Sequence, residues 1–440
     1  MGNFVLKGHI CYSESPQKIA TLENGYVVCM DGKSQGVFEK LPAEYESWPI
    51  IDYGDKLIMP GLVDLHIHAP QFAYRGMGMD LELLDWLAGQ AFPEETKYVD
   101  LEYAKKAYSI FAEAMQKSAT TRACIFATKH KDATELLMEL MEKSGLISYV
   151  GKVNMDRDAP DGLREESAEQ SSQDTLEWLE NISEKFQRTK PILTPRFIPC
   201  CTDALMDKLA DLQMRYDLPV QSHLSENPGE IQLVRELRPD SKFYGDAYNL
   251  HNMFGKNNKT DTEVKTIMAH CVWSEDAEVD LMKENGVFVA HCPASNMNLS
   301  SGIAPIRKYL DKGLNIGLGS DVAGGHTESI FRAISDTVQM SKMYWRLADN
   351  SAKPVTFPEA FYLATKGGGA FFGKVGSFEN GYAFDAVVLD DSTAPHPQKL
   401  TVLERLERAV YLFLDAQGIC AKYVEGVQVI PADDESAALS

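Results

Sequence analysis

The stretch that decides the fold is Ile58-Met59-Pro60-Gly61-Leu62-Val63-Asp64-Leu65-His66-Ile67-His68. Its second half is an apolar run that follows a turn-forming Pro-Gly pair and ends in two histidines one residue apart. This pattern is typical of a buried strand, in which side chains i and i+2 point to the same side. His66 and His68 can therefore face one point in space. A metal ion could lie there if the rest of the chain supplies further ligands.

After this stretch, apolar strands alternate with helical segments, which is the pattern of βαβ units and a parallel sheet. The helical segment 204–216, for example, carries leucines at helical spacing, which indicates packing on a core. The prediction is an α/β protein with a TIM-type (β/α)8 barrel over residues 58–374. The later strands are placed at 123–127, 147–153, 192–197, 218–223, 264–270, 286–290 and 315–320.

The two terminal segments have a different pattern. Residues 1–57 and 375–432 read as short strands and turns, including a hairpin turn at Asp31-Gly32, where both residues tolerate positive φ. Each segment alone offers too few strands to bury a face. We therefore predict that they fold together as a small β-sandwich module beside the barrel. The acidic, small-residue end at 433–440 is predicted to be disordered.

Composition excludes several classes of function. A net charge of -21 over 440 residues disfavours binding to nucleic acid or to an anionic membrane. The first residues lack the order of a secretory signal, and no apolar stretch is long enough to span a bilayer. The eight cysteines are scattered without a C-x-x-C pair, which indicates reduced thiols. We predict a cytoplasmic protein without nucleic-acid or membrane partners.

Further potential ligands lie at the ends of later predicted strands. His223 ends the fifth strand, His270 ends the sixth, and Asp321 follows the eighth. The carboxyl ends of parallel barrel strands meet on one face, where active sites of this fold lie. With His66 and His68 they form a candidate set of five ligands, and imidazole with carboxylate suits zinc, with iron as the alternative. His270 either ligates directly or holds a water on the metal.

Glu226 is the candidate proton carrier. It lies three residues after His223, just before a helix whose start is marked by Asn227, Pro228 and Glu230. The plainer interpretation is a solvated acid or a charge at the helix N-terminus. Beside a metal-activated water, however, a carboxylate is expected, because hydrolysis must move a proton to the departing atom.

Other polar and aromatic side chains are predicted at the same mouth. Gln71 follows His68 by three residues, and Arg196-Phe197 ends the fourth strand. Gln offers both a donor and an acceptor, and Arg offers a fixed fork of donors. The alternatives are a surface glutamine and a salt-bridged arginine. His291, at the end of the seventh strand, either orients a substrate or caps the strand.

These residues stand in motifs that resemble the metal-dependent amidohydrolase superfamily and, within it, the guanine deaminases. The resemblance covers almost the whole chain. One departure is Ser118-Ala119-Thr120-Thr121-Arg122, where the family usually has Gly and a third Thr in the first two places; it lies off the ligand set. The motifs that carry the resemblance are Pro60-Gly61-Leu62-Val63-Asp64-Leu65-His66-Ile67-His68-Ala69-Pro70-Gln71, Leu84-Asp85-Trp86-Leu87 with Phe92-Pro93-Glu94, Thr194-Pro195-Arg196-Phe197, Ser222-His223-Leu224-Ser225-Glu226-Asn227, His291-Cys292-Pro293 and Gly319-Ser320-Asp321-Val322-Ala323-Gly324-Gly325.

The resemblance implies roles for the site residues. It implies hydrolysis of guanine to xanthine and ammonia, and a homodimer. The base would stack on Phe197, with hydrogen bonds from Gln71 and Arg196 to the ring edge. The implied zinc set is His66, His68, His223, His270 and Asp321, of which His223 and Asp321, like Glu226, would also contact the substrate.

In the implied reaction, Asp321 takes a proton from the attacking water, and Glu226 protonates the ring nitrogen beside the carbon that carries the amine. His270 would help to stabilise the tetrahedral carbon. Two alternatives stay open. One is a related hydrolase that deaminates or dechlorinates another heterocycle, namely 8-oxoguanine or an adenosine-like, pterin, cytosine or triazine compound. The other is a non-catalytic barrel scaffold, against which the intact Glu226 and Asp321 speak.

Overall fold

The structure is a computed structural model that describes residues 2–257 and 262–430. The predicted disordered tail at 433–440 lies outside the described residues. The strands are β1 (Phe4–Ser15), β2 (Lys18–Met30), β3 (Lys33–Phe38), β4 (Ile50–Pro60), β5 (Leu62–His68), β6 (Thr120–Phe126), β7 (Ile147–Gly151), β8 (Val153–Asn154), β9 (Thr189–Pro191), β10 (Thr194–Pro195), β11 (Val220–Leu224), β12 (Lys256–Asn257), β13 (Thr262–Glu263), β14 (Thr266–His270), β15 (Phe288–His291), β16 (Asn315–Leu318), β17 (Ala386–Leu389), β18 (Ile419–Val424) and β19 (Val427–Ile430).

Helices separate most of the central strands. The helices are α1 (Leu83–Trp86), α2 (Phe92–Glu95), α3 (Leu101–Lys117), α4 (Lys131–Ser144), α5 (Ala168–Asn181), α6 (Asp203–Tyr216), α7 (Pro228–Leu237), α8 (Tyr244–Asn249), α9 (Asp276–Glu284), α10 (Pro293–Asn298), α11 (Ile306–Lys312), α12 (Ile330–Leu347), α13 (Phe357–Tyr362) and α14 (Val402–Tyr411). Within residues 2–257 and 262–430, none of these is both long and apolar enough to cross a bilayer.

Two four-stranded parallel sheets hold the strands predicted for the barrel. One has the order β5-β6-β7-β9 and the other β11-β14-β15-β16. Every residue of β5 and β6 is buried, which explains their nearly continuous apolar sequence, since a parallel strand is covered on both faces. The predicted α/β fold with parallel strands is confirmed. The fourth strand was predicted at 192–197, a range that contains only the short β10, which pairs with β8; β9 ends just before it at Pro191.

Backbone hydrogen bonds connect the two sheets at both of their edges. At one edge, the Gln221 N–H donates to the carbonyl of Leu193 over 2.9 Å. At the other, the Asp321 N–H donates to the carbonyl of His66 over 2.8 Å. This second contact brings two of the predicted metal ligands together through their main chains.

The buried carboxylate of Asp64 reinforces the second edge. Its Oδ1 accepts the N–H of His66 at 3.1 Å and the N–H of Ser320 at 3.0 Å. Its Oδ2 accepts the hydroxyl of Ser320 at 2.5 Å. Three donors from two distant segments thus converge on one buried acid, so the ends of β5 and β16 are held in a fixed register.

Helix α6 shows how the outer layer is specified. The Thr202 hydroxyl accepts the N–H of Leu205, which caps the helix start, and Asp217 ends the helix in a left-handed conformation. Leu205 and Leu209, two of the leucines at helical spacing, are fully buried in the main core. The predicted packing of this helix on a core is confirmed.

The terminal segments share one seven-stranded sheet, in the order β19-β18-β17-β4-β1-β2-β3. The N-terminal and C-terminal parts meet where β17 pairs with β4, for example Val388 with Ile58. Asp31 and Gly32 adopt the positive φ values expected of the predicted hairpin turn. The β-sandwich predicted for these segments is not confirmed, because what the structure describes here is this one sheet.

Residues 58–68 contribute to both the terminal sheet and a parallel sheet. The first of these residues belong to β4 of the terminal sheet, which extends to Pro60, whereas β5 begins at Leu62. Gly61 stands between them, and a Cβ there would lie 2.2 Å from the side chain of Thr121. Only glycine therefore lets the chain pass from one sheet to the other at this point.

Lys422 of β18 anchors the terminal sheet to the parallel sheets. Its buried Nζ lies within hydrogen-bond distance of the carbonyls of Met115, Ser118 and Thr120, at 3.1, 2.9 and 3.0 Å. The first two lie at the C-terminal end of α3, where helix carbonyls have no partner within the helix. Burial lowers the pKa of Lys422 to about 7.

We expect Lys422→Met to destabilise the protein by about 2 to 4 kcal/mol, because buried carbonyls lose their donors. The free energy of unfolding in urea measures this loss. Lys105→Met, at an exposed position of α3, is the matched control and should change stability by less than about 0.5 kcal/mol. An equal effect of both substitutions would contradict the anchoring role.

The same residue predicts a pH dependence. Between pH values of about 7 and 10.4, the unfolded chain keeps the Lys422 proton that the folded chain has released. Stability therefore rises with pH through this window by the contribution of this group, and Lys422→Met should lack that rise. Urea unfolding at pH 7 and pH 9 compares the two slopes.

Candidate active site

The structure brings all five predicted metal ligands together at the carboxyl ends of the parallel strands. His66 and His68 end β5, with ring centroids 4.9 Å apart. The Nε2 atoms of His68 and His223 are 3.3 Å apart. Asp321 Oδ1 lies 3.2 Å from His66 Nε2 and 3.5 Å from His68 Nε2. His270, at the end of β14, completes the group.

The donor set fits a metal ion. Within the described chain, neither ring nitrogen of the fully buried His66 has a hydrogen-bond partner. The candidate ligand atoms of His66, His68 and Asp321 all lie within 4.8 Å of one another, as do those of His66, His223 and His270. A cation between buried imidazole nitrogens that face each other would satisfy their lone pairs, and imidazole with carboxylate is a zinc-type donor set.

The electrostatics favour the ligand forms of His66, His68 and His223. The pKa of His270 is instead raised, because the facing carboxylates of Glu226 and Asp321 outweigh its burial. Burial lowers the pKa of His66, and it lowers the pKa of His68 and His223 well below the ordinary value. The rings are therefore neutral and carry a free lone pair, which is the form that binds a metal. His223 Nδ1 lies 2.6 Å from the carbonyl of Arg196, which orients its Nε2 toward the site.

His270 is oriented by Asn296. Its Nδ1 lies 3.0 Å from Asn296 Oδ1, so the ring is held with Nε2 toward the site. That Nε2 is 3.4 Å from Glu226 Oε2 and 3.7 Å from Asp321 Oδ2. This geometry suits both predicted roles, direct ligation and holding a water on the metal.

Cys292 is a neighbour that the sequence interpretation left out. Its thiol lies within ligand distance of His270 and Asp321. Burial raises the pKa of Cys292 well above the ordinary value, and the thiol donates weakly to the carbonyl of Ala290 at 3.4 Å. Cys292 packs beside the site and is not one of the five predicted ligands.

Glu226 faces the metal ligands as predicted. Its Oε1 accepts the hydroxyl of Ser301 at 3.0 Å, and Oε2 points toward His270. The backbone N–H of Glu226 donates to Glu230, whose side chain also closes the predicted capping box with Asn227 at the start of α7. Burial raises the pKa of Glu226 to about 7, so its carboxyl group can exchange a proton near neutral pH.

Gln71 and Arg196 lie side by side and share a partner, Glu95. Gln71 Nε2 donates to Glu95 Oε1 at 2.8 Å. Arg196 donates from Nη1 and Nη2 to the two oxygens of Glu95 over 2.5 and 3.0 Å. Gln71 Oε1 accepts the backbone N–H of Ala323 at 3.1 Å. The arginine is thus salt-bridged and at the site, which combines the two interpretations that the sequence left open.

A pocket joins these two groups. One side carries the ligands and Glu226, and the other carries Gln71, Arg196 and the ring of Phe197. Trp86 and leucines from the segment around α1 cover the opening. His291 is buried at the end of β15 and is not among the lining residues. The lining is His68, Gln71, Leu83, Trp86, Leu87, Arg196, Phe197, His223, Glu226, His270, Leu299 and Asp321.

Sequence reasoning missed the residues that hold the predicted ones. Glu95, Ser301 and Asn296 each contact a predicted site residue, but none ends a strand or repeats at a recognisable spacing. The only signal was that Glu95 directly follows the motif Phe92-Pro93-Glu94. Asn296 falls within a helix that begins directly after His291-Cys292.

Comparison with known proteins assigns the family. Residues 57–415 match the Amidohydrolase family. The chain belongs to this family. A guanine deaminase of Dictyostelium discoideum is 38% identical over 392 residues, which cover 87% of this chain and 85% of that protein. The expected resemblance to guanine deaminases is confirmed.

Two solved amidohydrolase-like structures extend the comparison. A guanine deaminase from C. acetobutylicum, with guanine bound in its active site, is 45% identical with a TM-score of 0.92, covering 97% of this chain and 99% of that one. An adenosine deaminase from Xanthomonas campestris with bound zinc has a TM-score of 0.79 at 20% identity, covering 99% and 95%. The second likeness establishes a shared fold.

We expect His66→Ala to lose its bound metal. Removing only a hydrogen-bond partner of a ligand typically costs about 10- to 100-fold in metal affinity, so losing a ligand should cost more. Metal content after dialysis, measured by elemental analysis, checks this. His396→Ala, in the terminal segment, should keep a full complement. A metal-free native protein, or a fully loaded His66→Ala, would contradict the site.

Proposed function

We propose that this protein is a zinc-dependent aminohydrolase that converts guanine and water to xanthine and ammonia. The observation that carries the proposal is the guanine-bound relative, which shares 45% of its residues and almost the entire fold. The pocket supports the proposal, because candidate metal ligands, the carboxyl group of Glu226 and the side chains of Gln71, Arg196 and Phe197 all line it.

Each residue of the site has its own role in the proposed reaction. Phe197 stacks on the purine, and Gln71 and Arg196 hold its edge by hydrogen bonds. Asp321 takes a proton from the attacking water, and Glu226 gives a proton to the ring nitrogen beside the carbon that carries the amine. The water oxygen bonds to the carbon that carries the amine, and Asp321 then passes its proton to that amine. The C–N bond breaks, ammonia leaves, and the remaining hydroxyl proton returns to Glu226 as the new carbonyl of xanthine forms. His270, held by Asn296, stabilises the charge that develops at the tetrahedral carbon.

The metal ligands in this proposal are His66, His68, His223, His270 and Asp321. A zinc ion bound there would supply Lewis-acid activation of the water. Zinc is supported by the donor set and by a zinc-bearing protein of the same fold. His223 and Asp321 also contact the substrate, because both line the pocket. Iron is the alternative metal, and elemental analysis distinguishes the two.

We also propose that the two parallel sheets close into one (β/α)8 barrel and that the chain forms a homodimer in the cytoplasm. The backbone hydrogen bonds at both sheet edges support the barrel. Seven of the eight cysteines are free thiols, which agrees with a reducing compartment; they are Cys11, Cys29, Cys124, Cys200, Cys201, Cys271 and Cys292. Light scattering after size exclusion measures the oligomeric state. The domain division at residues 57 and 375 stays a prediction.

The reaction is tested by ammonia release from a panel of guanine, 8-oxoguanine, adenine, cytosine and pterin, together with metal analysis. We expect zinc-loaded protein to release ammonia from guanine with the highest kcat/KM. Release from another base alone would replace guanine as the substrate. A metal-free protein that releases no ammonia from any of them would favour the scaffold alternative.

The role of Glu226 is tested by Glu226→Gln. A missing proton carrier should lower kcat by about 10² to 10⁴-fold while the metal content stays unchanged. Glu236→Gln, at an exposed position of α7, is the matched control and should retain full activity. Turnover of guanine near the native rate by Glu226→Gln would remove Glu226 from the proton path.

A further inference from the structure

We infer that Glu95 is a positioning residue that makes the pocket select an oxo-purine over an amino-purine. It does so by turning Gln71 and Arg196 so that both present N–H donors to the base. The inference rests on the proposed function, because it concerns the purine contacts of that same site.

Glu95 is buried with its carboxylate directed at the two purine contacts. Its side chain is about 1% exposed, and that of Arg196 about 4%. One oxygen accepts from both Gln71 Nε2 and Arg196 Nη2, and the other accepts from Arg196 Nη1. The ring of Phe92 lies 5.0 Å from the guanidinium carbon of Arg196 and supports it from another side. The fork of Arg196 therefore has one orientation.

The same carboxylate fixes the direction of the Gln71 amide. A carboxylate accepts hydrogen bonds and does not donate them, so Gln71 must turn its NH₂ group toward Glu95. The Ala323 N–H, which can only donate, holds Oε1 on the opposite side. One N–H of Gln71 is then left for the pocket. Glu95 takes two of the five N–H groups of Arg196, and the others stay available.

Two donors side by side recognise two acceptors side by side. Guanine presents such an edge in its carbonyl O6 and ring N7, whereas a base with an amine at the same carbon presents a donor beside N7. An amine there would oppose N–H with N–H and leave buried polar groups unpaired. The N–H donors of Gln71 and Arg196, as oriented by Glu95, therefore favour an oxo-purine.

The neighbouring acid shows that this arrangement is specific to Glu95. Glu94 is buried to a similar degree, but its carboxylate accepts from Lys97 at 2.6 Å and from the hydroxyl of Tyr103. It contacts neither Gln71 nor Arg196 among the hydrogen bonds of the described chain. Glu94→Gln is thus a control of the same chemistry, one residue away.

The test compares guanine with 2,6-diaminopurine, which keeps the reacting 2-amino group and carries an amine in place of O6. For Glu95→Gln we expect kcat/KM to fall about 100-fold for guanine and less than about 5-fold for 2,6-diaminopurine. Only guanine offers two adjacent acceptors, O6 and N7, to the N–H groups of Gln71 and Arg196. Glu94→Gln should leave the ratio of the two substrates unchanged. A parallel fall for both substrates would overturn the inference.

Equilibrium binding gives a second readout without turnover. Hypoxanthine keeps O6 and N7 but lacks the 2-amino group, and purine lacks both substituents. We expect Glu95→Gln to weaken hypoxanthine binding at least about 10-fold, to leave purine binding within about 3-fold and to keep the metal content. Unchanged hypoxanthine binding would overturn the inference.

Two provisions keep the test decisive. If Glu95→Gln does not fold, Glu95→Asp keeps the charge but withdraws it by one methylene, and the same change in substrate ratio is expected at smaller size. If native protein releases no ammonia from guanine, the proposed function fails, while the comparison of hypoxanthine with purine still decides the role of Glu95.

Discussion

The contact between the ends of β5 and β16 is the constraint on which the site depends. The carboxylate of Asp64 ties the main chain of His66 to Ser320, and the Asp321 N–H bonds directly to the His66 carbonyl. Each interaction is a buried hydrogen bond that costs free energy when it is broken. Because this contact joins the main chains of His66 and Asp321 directly, it fixes the relative positions of two of the five proposed metal ligands.

Several residues at the site have positive φ angles, which orient their side chains. Ser225, His270 and Asp321 all have positive φ, which costs a residue with a side chain about 1 kcal/mol or more. Each stands at the end of a parallel strand or within three residues after it, where the chain changes direction. The hydrogen bonds of Asn296 and Ser301 then hold the side chains of His270 and Glu226. Strain in the backbone is thus offset by packing and polar contacts around the pocket.

The sequence predicted the residues whose position follows from strand geometry. His66, His68, His223 and Asp321 could be found because the carboxyl ends of parallel strands meet, whichever side chains surround them. Glu95 could not be found, because its contact with Arg196 spans 101 positions and leaves no periodic pattern. The sequence also did not show that residues 58–60 belong to β4 and not to β5. Ile58 and Met59 are as apolar as β5, and only the close approach of Gly61 to Thr121 marks the boundary between the two strands.

The residues proposed to bind the metal and those proposed to contact the base stand on the same short segments. The backbone carbonyl of Arg196 orients the ring of His223, and the side chain of Arg196 lines the pocket. Gln71 follows His68 by three residues, and the Ala323 N–H that orients it follows Asp321 by two. A shift of any of these segments would move a ligand and a base contact together. In the proposed reaction, the segments that hold the metal ligands therefore also hold the groups that contact the base.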